Sequence, residues 1–179
     1  KGEIVHMEHA GDRVKLTADI PTRGVIGMET YLTNASSGEG VMSHIFREYL
    51  PYLGHIPART SGALVSMEFG KATAYSLDNL QQRGRLFIGP QEEVYPGMVV
   101  GESSRSGDLP CNPTKTKQLT NVRASGTDKA ILLEPPTQMN LERSIEFIAQ
   151  DEYVEVTPNH LRLRKKILDA NVRKRMEKR

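Results

Sequence analysis

Between Asp108 and Asp128 the chain carries Lys115, Lys117 and Arg123 and no carboxylate, with Arg105 just ahead of them. Thr116, Asn121 and Ser125 stand among these bases. Point charges interleaved with small hydroxyl and amide groups are the set that contacts phosphate and ribose oxygens. No aromatic residue falls between Arg105 and Thr127, so stacking on splayed bases is not available within that stretch, and recognition of shape and backbone remains. A second basic zone closes the chain. Residues 162–179 hold nine bases, among them Arg162, Arg164, Lys165, Lys166, Arg173, Lys174 and Arg175, against Asp169 and Glu177. The formal charge of +2, from 24 bases and 22 acids, hides this asymmetry, since the other 161 residues hold 15 bases and 20 acids. Two basic zones on a mildly acidic body fit a polyanionic partner such as RNA. The plainer reading, a solvated helix tail beside a polar loop, stands next to it.

Other chemistries lack their residues. Gly70-Lys71 runs into Ala72, and Val65 occupies the place of the first glycine of a phosphate-binding P-loop. Gly-x-Ser-x-Gly, a full Gly-x-Gly-x-x-Gly and His-Glu-x-x-His are all missing. His6 and His9 lie three apart on an expected strand, where they point to opposite faces and cannot converge on one ion. Cys111, the one cysteine, has Pro110 and Pro113 nearby and no adjacent base to activate it. It reads as a structural thiol, and it cannot form an internal disulfide. With no signal-peptide pattern, a reducing, cytoplasmic setting is expected.

The 179 residues, 37% hydrophobic and 26% charged, have no apolar run near the roughly 20 residues that span a bilayer. No membrane partner is expected. Beginning at Lys1, the chain reads as a piece of something longer. Residues 3–9 and 14–20 form a hairpin about Ala10-Gly11-Asp12, and Thr22 caps a helix carrying Val25, Met28, Tyr31 and Leu32. Residues 41–46 look like a strand, and residues 49–57 like a linker. Beyond it, short strands between glycines and prolines point to a small barrel or curled sheet. Those strands are 63–69, 85–88 and 98–101, with weaker ones at 119–122 and 130–134. Ser76 caps a short helix through Gln82, and residues 102–118 show no hydrophobic period and read as a loop. Asn140 caps a helix to Gln150; residues 153–157 and 161–164 form a hairpin with Tyr153, Leu161 and Leu163 facing the core. Asp169 begins a basic last helix.

Longer motifs carry a resemblance. Pro21-Thr22-Arg23-Gly24-Val25-Ile26-Gly27, Gly38-Glu39-Gly40 and Tyr49-Leu50-Pro51-Tyr52 resemble the latter half of the fifth domain of translational GTPases such as elongation factor G. Four further runs, Glu93-Val94-Tyr95-Pro96-Gly97-Met98 and three more, resemble the C-terminal domain of the BipA/TypA family of ribosome-associated GTPases. The three others are Arg83-Gly84-Arg85-Leu86-Phe87-Ile88-Gly89-Pro90, Leu119-Thr120-Asn121-Val122-Arg123-Ala124-Ser125-Gly126-Thr127-Asp128 and Val154-Glu155-Val156-Thr157-Pro158. This resemblance implies an α+β chain: a partial ferredoxin-like (split βαβ) unit over residues 1–55, then a strand-rich, barrel-like C-terminal domain with two or three helices over residues 56–179. It implies a factor in the ribosomal A site, touching large-subunit rRNA and A-site tRNA through the loop near residues 105–129, and linked to stress adaptation and large-subunit assembly. The GTP and Mg of that family belong to a GTPase domain absent here, so no cofactor and no catalysis are expected. In a βαββαβ unit the first strand lies centrally, so a chain entering at the second leaves apolar residues of 14–20 and 41–46 undercovered. That part is then disordered, completed by a neighbouring segment, or strand-swapped in self-association. A protein-docking module with a solubilising basic tail is the rival reading, and an enzyme is a distant third.

Overall fold

The computed structural model describes residues 1–54, 59–117 and 131–177. The strand expected at 119–122, the start of the one at 130–134 and the end of the linker lie outside them. The chain is α+β, with ten strands and five helices among the described residues, and it divides into two compact units, Lys1–Ala58 and Arg59–Arg179.

In the first unit, β1 (Glu3–Ala10) and β2 (Arg13–Asp19) form the expected antiparallel hairpin, from Glu3 opposite Asp19 to Ala10 opposite Arg13. Gly11 takes φ 62° in the two-residue connection, a backbone that glycine adopts without Cβ strain. The single helix expected from Thr22 is broken in two, α1 (Thr22–Val25) and α2 (Met28–Ala35). Ile26 is extended and Gly27 left-handed at φ 76°, so the glycine inside the helical pattern marks the break. Thr22 lies within the first turn and makes no cap; Pro21 precedes it. Residues 41–46 form no strand, because no ladder partner meets them among the described residues. Val41 and Ile45 are about nine-tenths exposed, and Val14 and Leu16 more than half.

The second unit is built on a six-stranded sheet. β3 (Ala63–Ser66) and β7 (Met98–Ser103) lie at its middle, in the order β8–β3–β7–β10–β9, with β5 (Gly84–Leu86) also beside β7. β8 (Leu109–Cys111) runs parallel to β3, and β9 (Glu152–Val156) pairs antiparallel with β10 (Leu161–Lys165). A separate short pair joins β4 (Gly70–Lys71) to β6 (Glu93–Val94). Among the described residues the sheet is open, with β8 and β9 at the ends of this order, and does not close into a barrel.

Every residue of β3 is buried. The reason is that both faces are covered, as in strands at the centre of a layered fold. Leu64 and Val100 join Leu77 and Leu80 of α3 (Ala74–Gln81) on one side. Ala63, Val65, Val99 and Leu163 pack on the other with Phe87 and with Phe147 of α4 (Leu141–Phe147). The Phe87 and Phe147 rings meet edge to face at 5.0 Å. Thr73, not Ser76, caps α3: its Oγ1 accepts from the Ser76 amide at 3.2 Å. Ser76 is inside the helix, buried, and donates its hydroxyl to the Asn112 carbonyl. Asn140 caps α4 as expected, accepting from the Arg143 amide at 2.8 Å, but the helix ends at Phe147 because Ile148 is extended.

An ionic cluster ties these parts together. Glu152 is fully buried and takes both arms of the Arg59 guanidinium, at 2.7 and 2.6 Å, while Lys165 Nζ lies 2.8 Å from it. Lys165 also reaches Asp151 at 2.7 Å and pairs with Asp108. Arg59 further donates to the Phe147 carbonyl and lies 4.1 Å over its ring, and the Ala149 amide donates to Glu152. Burial alone would push the Glu152 carboxyl up, but Arg59, Lys165 and the Ala149 amide outweigh it and hold the group below its ordinary 4.5. Burial likewise opposes a charged Lys165, and Asp108, Asp151 and Glu152 more than reverse this, raising it above its ordinary 10.5.

Removing Glu152 takes the close bidentate partner from buried Arg59 and one of three carboxylates from Lys165, so Glu152→Ala should cost about 3–5 kcal/mol in urea unfolding. Because the folded carboxyl is lowered, its contribution is present above pH 4.5 and is lost as pH falls from there through the folded value. Lys165, being raised, contributes fully below pH 10.5 and loses its contribution as pH rises past its folded value. The wild-type stability curve should therefore fall at both ends more steeply than that of the variant; parallel curves would contradict this account.

Candidate nucleic-acid interface

The stretch read as a long aperiodic loop is partly a strand. β7 extends to Ser103, and β8 lies between Leu109 and Cys111 on the sheet edge. Three residues are too few to show a period, and Pro110 hides the strand. An edge position tolerates a proline because no neighbour needs its missing N–H. The two remaining pieces are both anchored. Gly62 donates to the Arg105 carbonyl at 2.9 Å, and the Asp108 carboxylate accepts from the Ala63 amide at 2.9 Å. A Cβ on Gly62 would fall 1.7 Å from the Gly107 carbonyl oxygen, so only glycine lets this turn approach. Past β8, Pro113 is buried, and the Thr73 hydroxyl that caps α3 donates to the Lys115 carbonyl at 2.6 Å.

On this backbone the expected site residues separate into groups. Arg105 is exposed in the turn before β8, while Lys115, Thr116 and Lys117 are exposed beyond its other end. Asn121, Arg123 and Ser125 lie outside the described residues. Arg162 and Arg164 are partly exposed on β10, opposite Glu155 and Tyr153 respectively, and Lys166 is exposed just after it. Arg164 Nε lies 3.6 Å from Glu155. Lys165 is a correction: it is 2% exposed and held by three carboxylates, so it offers no charge to an external phosphate. Its inward direction was readable, since the period-two pattern of Leu161 and Leu163 continues to it.

Asp169 caps α5 (Ala170–Glu177), accepting from the Val172 and Asn171 amides at 2.9 and 2.7 Å, which hold its carboxyl low. Arg173 folds back and donates to the Ile167 and Leu168 carbonyls, each at 2.7 Å, so it makes a fixed contact within its own domain. Lys174 and Arg175 are exposed on the same helix.

Tyr153 reverses its expected direction. Its cross-strand partner is Arg164, while Val154 opposite Leu163 faces the core, and Tyr153 as a whole is 49% exposed. The Arg164 guanidinium lies 5.3 Å and the Lys166 ammonium 5.0 Å from the ring centroid. Tyr95 donates its hydroxyl to Glu155 at 2.7 Å; burial, then this carboxylate, pushes the phenol well above its ordinary range. Burial also pushes the Cys111 thiol up to about 12, so it remains protonated and unreactive at neutral pH. An open cleft of about 550 Å³ is lined by Arg59, Asp108, Asp151 and Lys165, whose charges are spent on one another. Among the described residues no three His, Cys, Asp or Glu side chains gather as a metal site needs, and no helix is long and apolar enough to cross a membrane.

Comparison with known proteins covers both units. Residues 61–170 match the TypA/BipA C-terminal domain, and residues 1–60 match the elongation factor G C-terminus. The chain is 44% identical over 180 residues to the large ribosomal subunit assembly factor BipA of Bacillus subtilis, covering 99% of this chain and 29% of that protein. It is 45% identical to the protein of that name from Salmonella typhimurium (98% and 29%) and 43% identical to that from Synechocystis (92% and 28%). The chain thus spans about three-tenths of the length of these curated relatives. The match of residues 61–170, more than half of the chain, together with these identities shows that the chain belongs to the TypA/BipA family, as a C-terminal part of it.

Proposed function

We propose that this chain is the ribosome- and RNA-binding part of its parent factor, placing it in the A site against large-subunit rRNA and A-site tRNA. The carrying observation is the placement of its bases. Arg105, Lys115, Arg162, Lys166, Lys174 and Arg175 are exposed or partly so on a body that is otherwise mildly acidic. The relatives' name, large ribosomal subunit assembly factor, supports the same partner. Contact through phosphates positions the domain without reading sequence, and the cytoplasm is the setting this requires. GTP and Mg act in the GTPase domain of the parent, and this chain takes no catalytic part; the link to stress adaptation is likewise the parent's.

A second reading has its own observation. The first unit exposes Ile4, Met7, Val14, Leu16, Val41, Ile45 and Phe46, a surface suited to another protein segment or to strand exchange with a second copy. Salt separates the two, because counterion release makes RNA affinity fall steeply with ionic strength and apolar docking does not.

Replacing Lys115, Lys117 and Arg123 by Ala should weaken binding to large ribosomal subunits and flatten the salt slope by about two to three on double-helical RNA, with stability changed by no more than ~0.5 kcal/mol. Lys165→Ala should do the reverse, lowering the melting temperature and leaving the slope intact. The opposite pattern would remove the loop from the interface.

Lys174→Glu with Arg175→Glu should slow association at low salt more than it speeds dissociation, as long-range charge does. Stopped-flow rates read this directly, and an unchanged association rate would refute it. Calorimetry with GTP and Mg should give no saturable heat for the chain alone; measurable binding would contradict the assigned domain content.

A further inference from the structure

We propose that Tyr153, flanked by Arg164 and Lys166, is a stacking site for an unpaired nucleobase of RNA. This rests on the RNA-binding reading above and adds to it a contact with a base, where the loop residues supply contacts with backbone.

Several observations converge on this site. Tyr153 lies on β9, an edge strand, and half its surface is open although its neighbours Glu152 and Val154 are turned into the domain. The ring packs beside two cations from β10 and the residue just after it. Arg164 is its direct cross-strand partner, and the Lys166 amide donates to the Asp151 carbonyl at 2.9 Å, which fixes the next turn beside it. Both cations lie about 5 Å from the ring centroid, 5.3 Å for the guanidinium and 5.0 Å for the ammonium. A ring carrying cations presents a π surface together with charge for the phosphate of the same nucleotide.

The composition of this face argues for RNA over a protein partner. On β9 and β10 beside Tyr153 it carries Arg162 and Arg164, with Lys166 just after them, and the carboxylate opposite Arg162, Glu155, is already engaged by the Tyr95 hydroxyl and by Arg164. The cross-strand positions beside Tyr153 and Glu155 are charged, not apolar, and single-stranded RNA needs only an aromatic or guanidinium plane and nearby cations. A double helix, with its bases stacked internally, cannot use the ring. The site therefore favours loops, bulges or ends.

The chain contains no tryptophan, so Tyr153→Trp installs a single indole at the site. Oligouridylate should quench its fluorescence saturably, and the corresponding abasic ribose-phosphate chain should not. With labelled oligouridylate, Tyr153→Ala should bind about tenfold more weakly, within the range for loss of one stacked base, while Tyr153→Phe should bind like wild type. Melting temperatures of all three variants serve as the folding control. Salt-sensitive oligonucleotide binding with no quenching, and with Tyr153→Ala equal to wild type, would overturn the stacking site and leave the basic interface standing. Failure of every form of the protein to bind RNA would overturn both.

Discussion

Glu152 has no solvent to stabilise its charge and depends on Arg59 and Lys165 for it. A buried carboxylate left without partners is among the costliest groups a domain can hold, so this triad constrains everything that supplies it. Arg59 brings in the start of the second unit, Lys165 the end of β10, the Ala149 amide the turn after α4, and Asp108 the turn before β8. Four segments distant in sequence meet at one point. The edge strand β8, and with it the cations on either side, is positioned from this point and by its three-residue ladder to β3.

The same cluster sorts the basic residues by use. A lysine flanked by carboxylates in the interior and a lysine on a turn carry the same formal charge, but only the second has a field that reaches solvent. Lys165 and Arg59 serve the fold, and Arg173 secures the start of the last helix by binding the carbonyls before it. The bases with an outward field are those of the turns, the outer side of β10 and the exposed face of α5. Net charge along the chain overstates the interface, and burial trims it.

The first unit obeys a different constraint. A two-stranded ribbon buries too little to stand alone in water, and here nearly every residue of β1 and β2 is exposed. Its sequence is apolar where further elements would cover it, and residues 41–46 keep the composition of a strand with no ladder to join among the described residues.

What the residues alone determined was local: the β1–β2 and β9–β10 hairpins, the Asn140 and Asp169 caps, the position of α3 to within about two residues, and two zones of positive charge. Each of these follows from neighbours a few positions apart, through turn chemistry, periodicity or capping. The motifs of the family were legible in the same way. Tertiary structure decided the rest. Ser76 yielded the cap to Thr73 because the Asn112 carbonyl takes its hydroxyl. β8 became a strand because β3 offered it a ladder, and Tyr153 turned outward because its register opposes Arg164. Pairing partners far apart in sequence set these outcomes, and a strand's direction of burial cannot be known until its register against a neighbour is, since a slip of one residue exchanges its two faces.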